Sequence, residues 1–356
     1  MNERISPLSN LILPLLEWFR DNHRTLPWRS DPTPYHVWVS EIMLQQTRVA
    51  AVLGYYQRFM EALPTVADLA EVEEDQLLKL WQGLGYYNRA RNLQKAARQI
   101  MEQFGGQFPS SYADLLSLAG LGDYTAGAIA SIAFGLPEPA VDGNVLRVVT
   151  RITGDPSDIS QAATKKAVRA ALAEVMPLQA PGDFNQALME LGALVCLPNG
   201  VPDCAHCPAR GFCVAHLEGK SDVIPVKGAK KPRKIEERTE YLLFHRGQVA
   251  LRRRPAKGLL AGLWEFPNEV VGAAESDGWG LDLPQAEVCG AGRHIFTHRE
   301  WHMTGKQLVL TDDTLPDGWA WADEQALRET YAVPNAFSSF LPVVEAYFAQ
   351  WRGESS

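Results

Sequence analysis

Hydrophobic residues recur at helical spacing through the first part of the chain. Residues 8–19 place leucine, isoleucine and phenylalanine on one face, which predicts a surface helix docked by that face. Residues 68–80 and 89–104 repeat the pattern, and glycines and prolines separate one helical segment from the next. Residues 1–217 are therefore predicted to be mainly helical.

The last part of the chain has a different pattern. Short strand-like runs occur there at 239–244, 249–251 and 307–310. Two helices are expected near 323–330 and 340–351. Glycines that we expect to supply turns are Gly258, Gly262, Gly290, Gly292 and Gly305. This part is therefore predicted to be α+β.

Between the two patterns lies the stretch 225–234, PVKGAKKPRK, with five basic residues and almost nothing apolar. It predicts an exposed linker, which is either a solvated tether or a basic segment that follows a nucleic-acid strand. A chain of 356 residues is longer than one core usually holds. We therefore divide it into a helical domain (1–217), a linker (218–236) and an α+β domain (237–356).

Composition narrows the class of protein. Apolar residues make up 46% and charged residues 21% of the chain, as in ordinary soluble proteins. Apolar runs are short, and the N-terminus lacks the continuous apolar core of a signal peptide, so we expect a cytoplasmic protein without a membrane segment. The net charge of −8 means that any binding of nucleic acid must depend on local basic patches.

Four of the five cysteines lie close together, whereas Cys289 stands alone. The group is Cys196, Cys204, Cys207 and Cys213, so four thiolates fall within the loop 196–213. Clustering in a long chain without a signal peptide indicates metal ligation rather than disulfides. Cysteine-only ligation fits either zinc or a 4Fe–4S cluster, and the spacing alone leaves both open.

Gly120 and Gly122 lie between two helical segments, directly before the helical run 125–134. Two glycines at this spacing predict a tight hairpin whose bare backbone amides could bind a phosphate at the helix N-terminus. The simpler interpretation is a helix stop.

Two acidic residues could take part in chemistry. Asp142 opens the helical run 146–152, as an ordinary N-cap or as a carboxylate aimed at a developing cation. Glu41 has Val39, Ile42 and neighbouring apolar residues around it, so it is either a surface residue or a buried acid with a raised pKa.

Taken together, these motifs resemble the helix–hairpin–helix DNA glycosylase superfamily and, within it, the adenine DNA glycosylase family. The segments that carry the resemblance are VWVSEIMLQQT, GLGYYNRARNL, GLGDYTAGAIASIAFG, VDGNV and FNQALMELGALVC. The resemblance implies a mainly α domain that holds a structural 4Fe–4S cluster, followed by a NUDIX-like domain. The loop between the first two cysteines is one residue longer than is usual, and Gly200 is the candidate for the extra residue.

The resemblance further implies a monomeric enzyme that hydrolyses the N-glycosidic bond of adenine mispaired with 8-oxoguanine or guanine in double-stranded DNA. In that mechanism Glu41 protonates N7 of the extruded base and Asp142 stabilises the oxocarbenium ion, with Tyr124 and Asn144 positioning Asp142 and the water. The residues implied to line the adenine pocket are Trp28, Arg29, Leu44 and Gln186.

The resemblance also implies contacts to the rest of the duplex. Gln46 and Tyr86 would fill the gap near the partner guanine, and Gly120 and Gly122 would hold a DNA phosphate. The segment that would read the oxidised guanine is Phe296, Thr297 and His298, where the family usually has Phe-Ser-His.

Three alternative functions would each need a different set of residues. An endonuclease III-type lyase would need a lysine where this chain has Tyr124, and no lysine occurs between Lys95 and Lys165. A non-catalytic lesion-binding protein would lack one of the two carboxylates. A redox carrier would need a further cofactor motif. Pyrophosphate hydrolysis is not expected, because the carboxylate-rich REx2EE motif of true NUDIX hydrolases is absent.

Overall fold

The structure is a computed structural model that describes residues 6–229 and 232–354. The chain divides into two compact units: the first contains Met1–Glu71 and Asn92–Lys230, and the second contains Val72–Arg91 and Lys231–Ser356. Two residues of the predicted linker, 230 and 231, lie outside the described part. Among the residues that are described, no helix has both the length and the apolar character needed to cross a bilayer.

Helices account for nearly all regular structure up to residue 229, as predicted. They are α1 (Ser6–Ser9), α2 (Ile12–Asn22), α3 (Pro27–Ser30), α4 (Pro34–Leu44), α5 (Val49–Ala62), α6 (Val66–Glu71), α7 (Glu74–Leu80), α8 (Asn88–Phe104), α9 (Tyr112–Ser117), α10 (Asp123–Phe134), α11 (Gly143–Thr153), α12 (Ala162–Ala173), α13 (Pro181–Leu194) and α14 (Val214–Leu217).

Local sequence sets several of these helix ends. Thr33 caps α4 by accepting a hydrogen bond from the His36 amide, and Asp142 caps α11 in the same way through Val145. Helix α11 ends at Gly154, which adopts the left-handed conformation that favours glycine. The segment 68–80 is divided between α6 and α7 rather than forming one helix. Leu69 of α6 and Leu77 and Leu78 of α7 are buried, so the periodicity indicated burial but not continuity.

The second unit contains a mixed sheet. Its strands are β1 (Lys234–His245), β2 (Gln248–Arg253), β3 (Trp264–Glu265), β4 (Asn268–Val270), β5 (Glu287–Ile295), β6 (Arg299–Val309) and β7 (Trp319–Ala322). The main order is β3-β2-β1-β6-β5, with β4 paired to β1 and β7 paired to β2. Strands β1 and β6 are parallel, and the other pairs are antiparallel. The α+β prediction is therefore confirmed.

Two further helices follow the sheet, α15 (Glu324–Glu329) and α16 (Leu341–Glu354), close to their predicted positions. The predicted exposed linker is partly held by the fold. Ile224 is buried, the Val226 carbonyl accepts a hydrogen bond from the Ile159 amide at 3.0 Å, and β1 already begins at Lys234. The segment is therefore docked at both ends.

The prediction that five glycines supply turns is wrong for three of them. Gly290 and Gly292 lie within β5, and Gly305 lies within β6. A Cβ atom at Gly305 would come within 2.6 Å of the Phe340 ring, and one at Gly292 within 3.0 Å of Ser339. Glycine is suited to the strand positions 292 and 305 because the segment 335–340 packs directly on the strand backbone there.

Each unit has its own hydrophobic core. In the first, α2, α11 and α13 bury Leu15, Val148 and Leu188. In the second, one face of the sheet packs against residues 335–348 through Phe266, Phe337 and Phe340, and a smaller apolar cluster covers the other face. Asp142 is the N-cap residue of α11, which contributes to the first core, whereas Glu41 lies on α4, which packs against α10 and α5.

Candidate active site and cysteine loop

Glu41 is buried in the first unit. Helix α4 has apolar residues on nearly all of its faces and is buried over most of its length, so Glu41 is only 6% exposed. The Tyr124 hydroxyl, at the start of α10, donates a hydrogen bond to Glu41 Oε2. Of the two interpretations that the sequence left open, the buried acid is therefore the one found.

Asp142 is half-buried and accepts several hydrogen bonds. Its Oδ1 accepts from the Val145 amide at 2.7 Å, and its Oδ2 accepts from Asn144 Nδ2 at 2.8 Å. Arg147 in turn donates to Asn144 Oδ1 at 2.8 Å, which fixes the Asn144 amide. Asn144 therefore positions Asp142, as its predicted role requires.

The two carboxyl groups have unequal environments. Burial raises the pKa of Glu41 to about 7, and the charge of Asp142 adds to that effect. The Tyr124 hydrogen bond and the charge of Arg29 act in the opposite direction. Burial also raises the pKa of Asp142, but backbone and side-chain donors at the helix N-terminus oppose it. Of the two residues, Glu41 is therefore better suited to the protonated form and Asp142 to the ionised form.

Close packing places Asn144 against α13. A Cβ atom at Gly192 would lie 2.6 Å from the Asn144 Cβ, so only glycine permits this approach. Arg147 donates to the Gly192 carbonyl at 2.8 Å and to the Cys196 carbonyl at 2.7 Å. The start of α11 is thus tied to the end of α13 and to the cysteine loop.

Arg29 and Gln186, both predicted to line the adenine pocket, are brought together. Arg29 Nε donates to Gln186 Oε1 at 3.0 Å, and Arg29 Nη2 donates to Glu190 Oε2 at 2.9 Å. Arg24 also binds Glu190 through Nε and Nη2, each at 2.8 Å. The charge of Arg29 acts on Glu41, which links this group electrostatically to the acid.

Other predicted residues near α4 are not joined to this group by a hydrogen bond or ring contact within the described chain. Trp28 is buried edge-on against Tyr56, with ring centroids 5.1 Å apart. Leu44 ends α4 and is half-buried. Gln46 is exposed in a left-handed conformation with φ 60°. The structure thus places these side chains without testing their roles.

The predicted hairpin lies between α9 and α10. Gly120 has φ +78°, and a Cβ atom there would lie 2.6 Å from the Asn92 Cβ, so glycine is required. Gly122 has extended backbone geometry and is the N-cap residue of α10. The first-turn amides of α10 lack the intrahelical acceptors that later amides have. They are therefore suited to an anion such as a phosphate.

All four clustered cysteines line one cavity in the first unit, together with Leu191 and Arg151. Arg151 Nη1 donates to Cys196 Sγ at 3.3 Å and to the Leu197 carbonyl at 2.9 Å. Arg151, on α11, thus connects the cysteine loop to that helix. Gly200 adopts φ +80° with open space around it, so the longer loop is accommodated by a turn.

The cysteine arrangement is suited to metal ligation, because all four side chains line one cavity. Cysteine-only ligation fits either zinc or a 4Fe–4S cluster. Among the described residues, no group of three or more His, Cys, Asp or Glu side chains is already arranged to hold a single metal ion. His206 points to Asp203 at 2.8 Å and is largely exposed.

The second unit contains the predicted lesion-reading segment. Thr297 and His298 form the exposed two-residue turn between β5 and β6, closed by the Phe296 amide, which donates to the Arg299 carbonyl at 2.8 Å. The Phe296 ring packs against Trp301 at 4.7 Å. Tyr86, 50% exposed with φ 48°, lies 3.1 Å from the Thr297 hydroxyl through its own hydroxyl. The structure thus brings together two residues predicted to face the partner base.

Sequence reasoning missed three charged residues of the first unit. Arg24 and Glu190 flank Arg29, and Arg147 holds Asn144. Glu190 lies four residues after Gln186, hence on the same face of α13, which was a readable signal. Its pairing with Arg24 spans 166 residues, and no local pattern predicts that.

Two protein-family models match separate stretches of the chain. The model described as HhH-GPD superfamily base excision DNA repair protein matches residues 39–177. The NUDIX domain model matches residues 240–342.

Individual relatives cover more of the chain. The adenine DNA glycosylase of Homo sapiens is 35% identical over 93% of this chain and 73% of its own length. That of Buchnera aphidicola subsp. Baizongia pistaciae is 38% identical over 71% of this chain and 72% of its own. Among solved structures, a thermostable thymine-DNA glycosylase superposes with a TM-score of 0.54 and 26% identity, covering 61% of this chain and 98% of that one.

Proposed function

The chain belongs to the adenine DNA glycosylase family and is a base excision repair glycosylase, and we propose that its substrate is adenine mispaired with 8-oxoguanine or guanine in duplex DNA. The observation that carries the chemical part of this proposal is the pair of carboxyl groups at Glu41 and Asp142, whose charges interact within one unit.

Glu41 is the proposed general acid. The C1′–N9 bond breaks with its electron pair going to the base, and Glu41 supplies a proton to adenine N7. A pKa of about 7 leaves a large protonated fraction at neutral pH and still allows the proton to be given up. The Tyr124 hydrogen bond supports this role because it holds the carboxyl group in one orientation.

Asp142 is the proposed anion. Positive charge builds up at the sugar as the base departs, and a fixed carboxylate lowers the free energy of that transition state. The donors around Asp142 favour its ionised form, and they fix the orientation of the carboxylate. Water then adds to C1′ and gives up a proton to the ionised Glu41, with Tyr124 and Asn144 as its proposed positioning groups.

The remaining contacts to DNA follow from family membership and fit the local geometry. Arg29 and Gln186, with Trp28 and Leu44, are proposed to surround the extruded adenine. The α10 amides at Gly120 and Gly122 are proposed to bind a phosphate, and Gln46 to enter the duplex near the partner base.

Recognition of 8-oxoguanine is assigned to Phe296, Thr297 and His298, together with Tyr86. The exposed Thr297 hydroxyl offers a donor and an acceptor, and the Tyr86 ring beside it offers a stacking surface. Threonine keeps the hydroxyl of the serine that is usual in the family.

We assign a structural 4Fe–4S cluster to Cys196, Cys204, Cys207 and Cys213. Such a cluster would cross-link the loop 196–213, and no step of base release depends on it. Metal analysis of purified protein tests this assignment. Iron with acid-labile sulfide is expected, whereas stoichiometric zinc without iron would contradict it.

The protein is further proposed to act as a monomer on double-stranded DNA in the cytoplasm, at the nucleoid if the source is bacterial. Sedimentation of the protein alone and with a short duplex tests the monomer, because a dimer would double the protein part of the measured mass in both cases.

The deciding experiment uses a duplex with one adenine opposite 8-oxoguanine. Incubation with the protein, followed by alkali, should cut the adenine strand at that position. Asp142→Asn is the matched control, because asparagine caps a helix as well as aspartate but carries no charge. Absence of an alkali-labile site with the unaltered protein, or full cleavage with Asp142→Asn, would contradict the proposal.

A further inference from the structure

Glu190 is a buried carboxylate to which the mechanism above gives no task. Its side chain is 1% exposed on α13. Burial alone would raise its pKa, but hydrogen bonds from Arg24 and Arg29 outweigh burial and lower that pKa to about 2. Glu190 is therefore a permanent negative charge held beside the predicted base pocket.

Glu190 fixes the position of Arg29. The three nitrogens of that guanidinium all donate: Nη2 to Glu190 at 2.9 Å, Nη1 to the Arg24 carbonyl at 3.0 Å, and Nε to Gln186 at 3.0 Å. Arg24 is itself held by Glu190 through its backbone amide, Nε and Nη2. One carboxylate thus holds both arginines, and Arg29 has little freedom to turn away.

The orientation of the Gln186 amide follows from the chemistry of Arg29. A guanidinium has only donors, so the group of Gln186 that faces Arg29 must be its carbonyl oxygen. The NH2 group of Gln186 is then directed away from Arg29, as a hydrogen-bond donor. N7, on the Hoogsteen edge of adenine, is assigned to Glu41, and the acceptor on the Watson–Crick edge of the base is N1.

We propose that Glu190 is a positioning residue that acts through Arg29 to present Gln186 as a donor to N1 of the extruded adenine. The inference depends on the proposed function, since it takes Gln186 to line the base pocket. Hypoxanthine carries a proton at N1 and an oxygen at C6, so the donor and the acceptor on this edge are exchanged. Its N1–H group would then face the Gln186 NH2 group, and two donors facing each other are unfavourable. Glu190 thereby contributes to the choice of base without touching it.

The test compares adenine with hypoxanthine, each opposite 8-oxoguanine, by single-turnover rates of base release. Glu190→Gln removes the charge that holds Arg29, so Gln186 can turn over. The ratio of adenine to hypoxanthine release should fall about tenfold or more, which is the discrimination expected from one oriented amide contact. A change in stability alone would slow both substrates equally.

Glu138→Gln is the matched control. Glu138 also pairs with an arginine of the first unit, Arg169, at 2.8 Å, and makes no hydrogen bond or ion pair with Arg29 or Gln186. Its rate ratio should equal that of the unaltered protein. Glu190→Asp keeps the charge but shortens the reach, so it should lose part of the ratio; it supplies the same test if Glu190→Gln does not fold.

Each outcome of this test either supports or overturns the proposal. A reduced ratio in the Glu190 variants, with the Glu138→Gln ratio unchanged, supports the proposal. An unchanged ratio in a folded Glu190 variant that still removes adenine overturns it and leaves the proposed function standing. Unaltered protein that removes no adenine from any duplex overturns the proposed function, and this inference with it.

Discussion

Glu265 of the second unit and Glu41 of the first are both buried, but they have different partners. In the second unit, Glu265 is fully buried and accepts hydrogen bonds from Arg252 and Arg254. In the first, Glu41 is nearly as buried, and its hydrogen-bond donor among the described residues is the Tyr124 hydroxyl. Arginine is close to Glu41 as well, yet the hydrogen bonds of Arg29 go to Glu190 and Gln186.

This difference separates a structural carboxylate from a reactive one. A buried carboxylate paired with guanidinium groups has its charge balanced and stabilises the fold only as part of that pair. A carboxyl group that is buried without a bonded cation keeps its proton up to a higher pH. Glu265 therefore contributes to the packing of the NUDIX-like sheet, and Glu41 is available for proton transfer in the helical unit.

The largest effect is expected from Glu41→Gln. An amide cannot give up a proton to the base, so adenine release should fall by about 10³-fold while lesion-duplex binding stays within a few-fold. Single-turnover release and a binding titration measure the two. Glu240→Gln, at a fully buried acid of the second unit, should release adenine normally. Near-normal release by Glu41→Gln would remove Glu41 from the acid role.

Glu265→Gln should mainly affect stability. It leaves Arg252 and Arg254 without their buried counter-charge, which we expect to cost about 3 kcal/mol in the free energy of unfolding. Urea unfolding measures this cost. Glu287→Gln, on exposed strand β5, should be close to neutral. An equally small effect at both positions would show that the arginine pairs contribute little.

Tyr124→Phe should move the pH dependence of base release. Its hydrogen bond lowers the pKa of Glu41, so removing it raises that pKa above about 7. The protonated acid, present below the pKa and lost above it, then persists to higher pH, and the alkaline limb of the rate profile shifts upward. At neutral pH the rate should fall by about fivefold, as for one lost hydrogen bond.

Tyr112→Phe is the matched control for that profile. Tyr112 donates to Asp123 at 3.0 Å in the same unit. The alkaline limb should stay in place in this variant. A downward shift in Tyr124→Phe would mean that the hydroxyl stabilises the protonated form of Glu41.

The smallest effect is expected from Thr297→Ala. Losing one exposed hydroxyl should reduce the preference for adenine opposite 8-oxoguanine over adenine opposite guanine by about two- to fivefold. Competition between the two duplexes measures it. Thr297→Ser restores the hydroxyl and should keep the preference. An unchanged preference in Thr297→Ala would place lesion reading elsewhere in the second unit.

The sequence predicted the order of the helices and strands well, because apolar periodicity reports burial directly. It failed at Gly292 and Gly305, since a glycine that admits a neighbouring ring looks the same in sequence as one that makes a turn. It also predicted a continuous segment at 68–80, where the helix is interrupted although the leucines stay buried.

The candidate site was predictable only where residues lie within a few positions of each other. Asp142 and Asn144 share a helix start, and their hydrogen bond follows from that. The burial of Glu41 and the pairing of Arg24 with Glu190 depend on contacts between segments far apart in the chain. Such contacts are fixed by the packed helices and leave no local trace in the sequence.

The double use of Asp142 has a consequence for comparing natural variants. One of its oxygens closes the first turn of α11, so replacement by alanine would cost about 1 kcal/mol of stability as well as the charge. Asparagine would keep the helix start and lose only the charge. A descendant that gave up catalysis could therefore persist with an amide at 142. Asparagine in place of aspartate at position 142 would therefore distinguish a catalytically inactive member of the family from an active one.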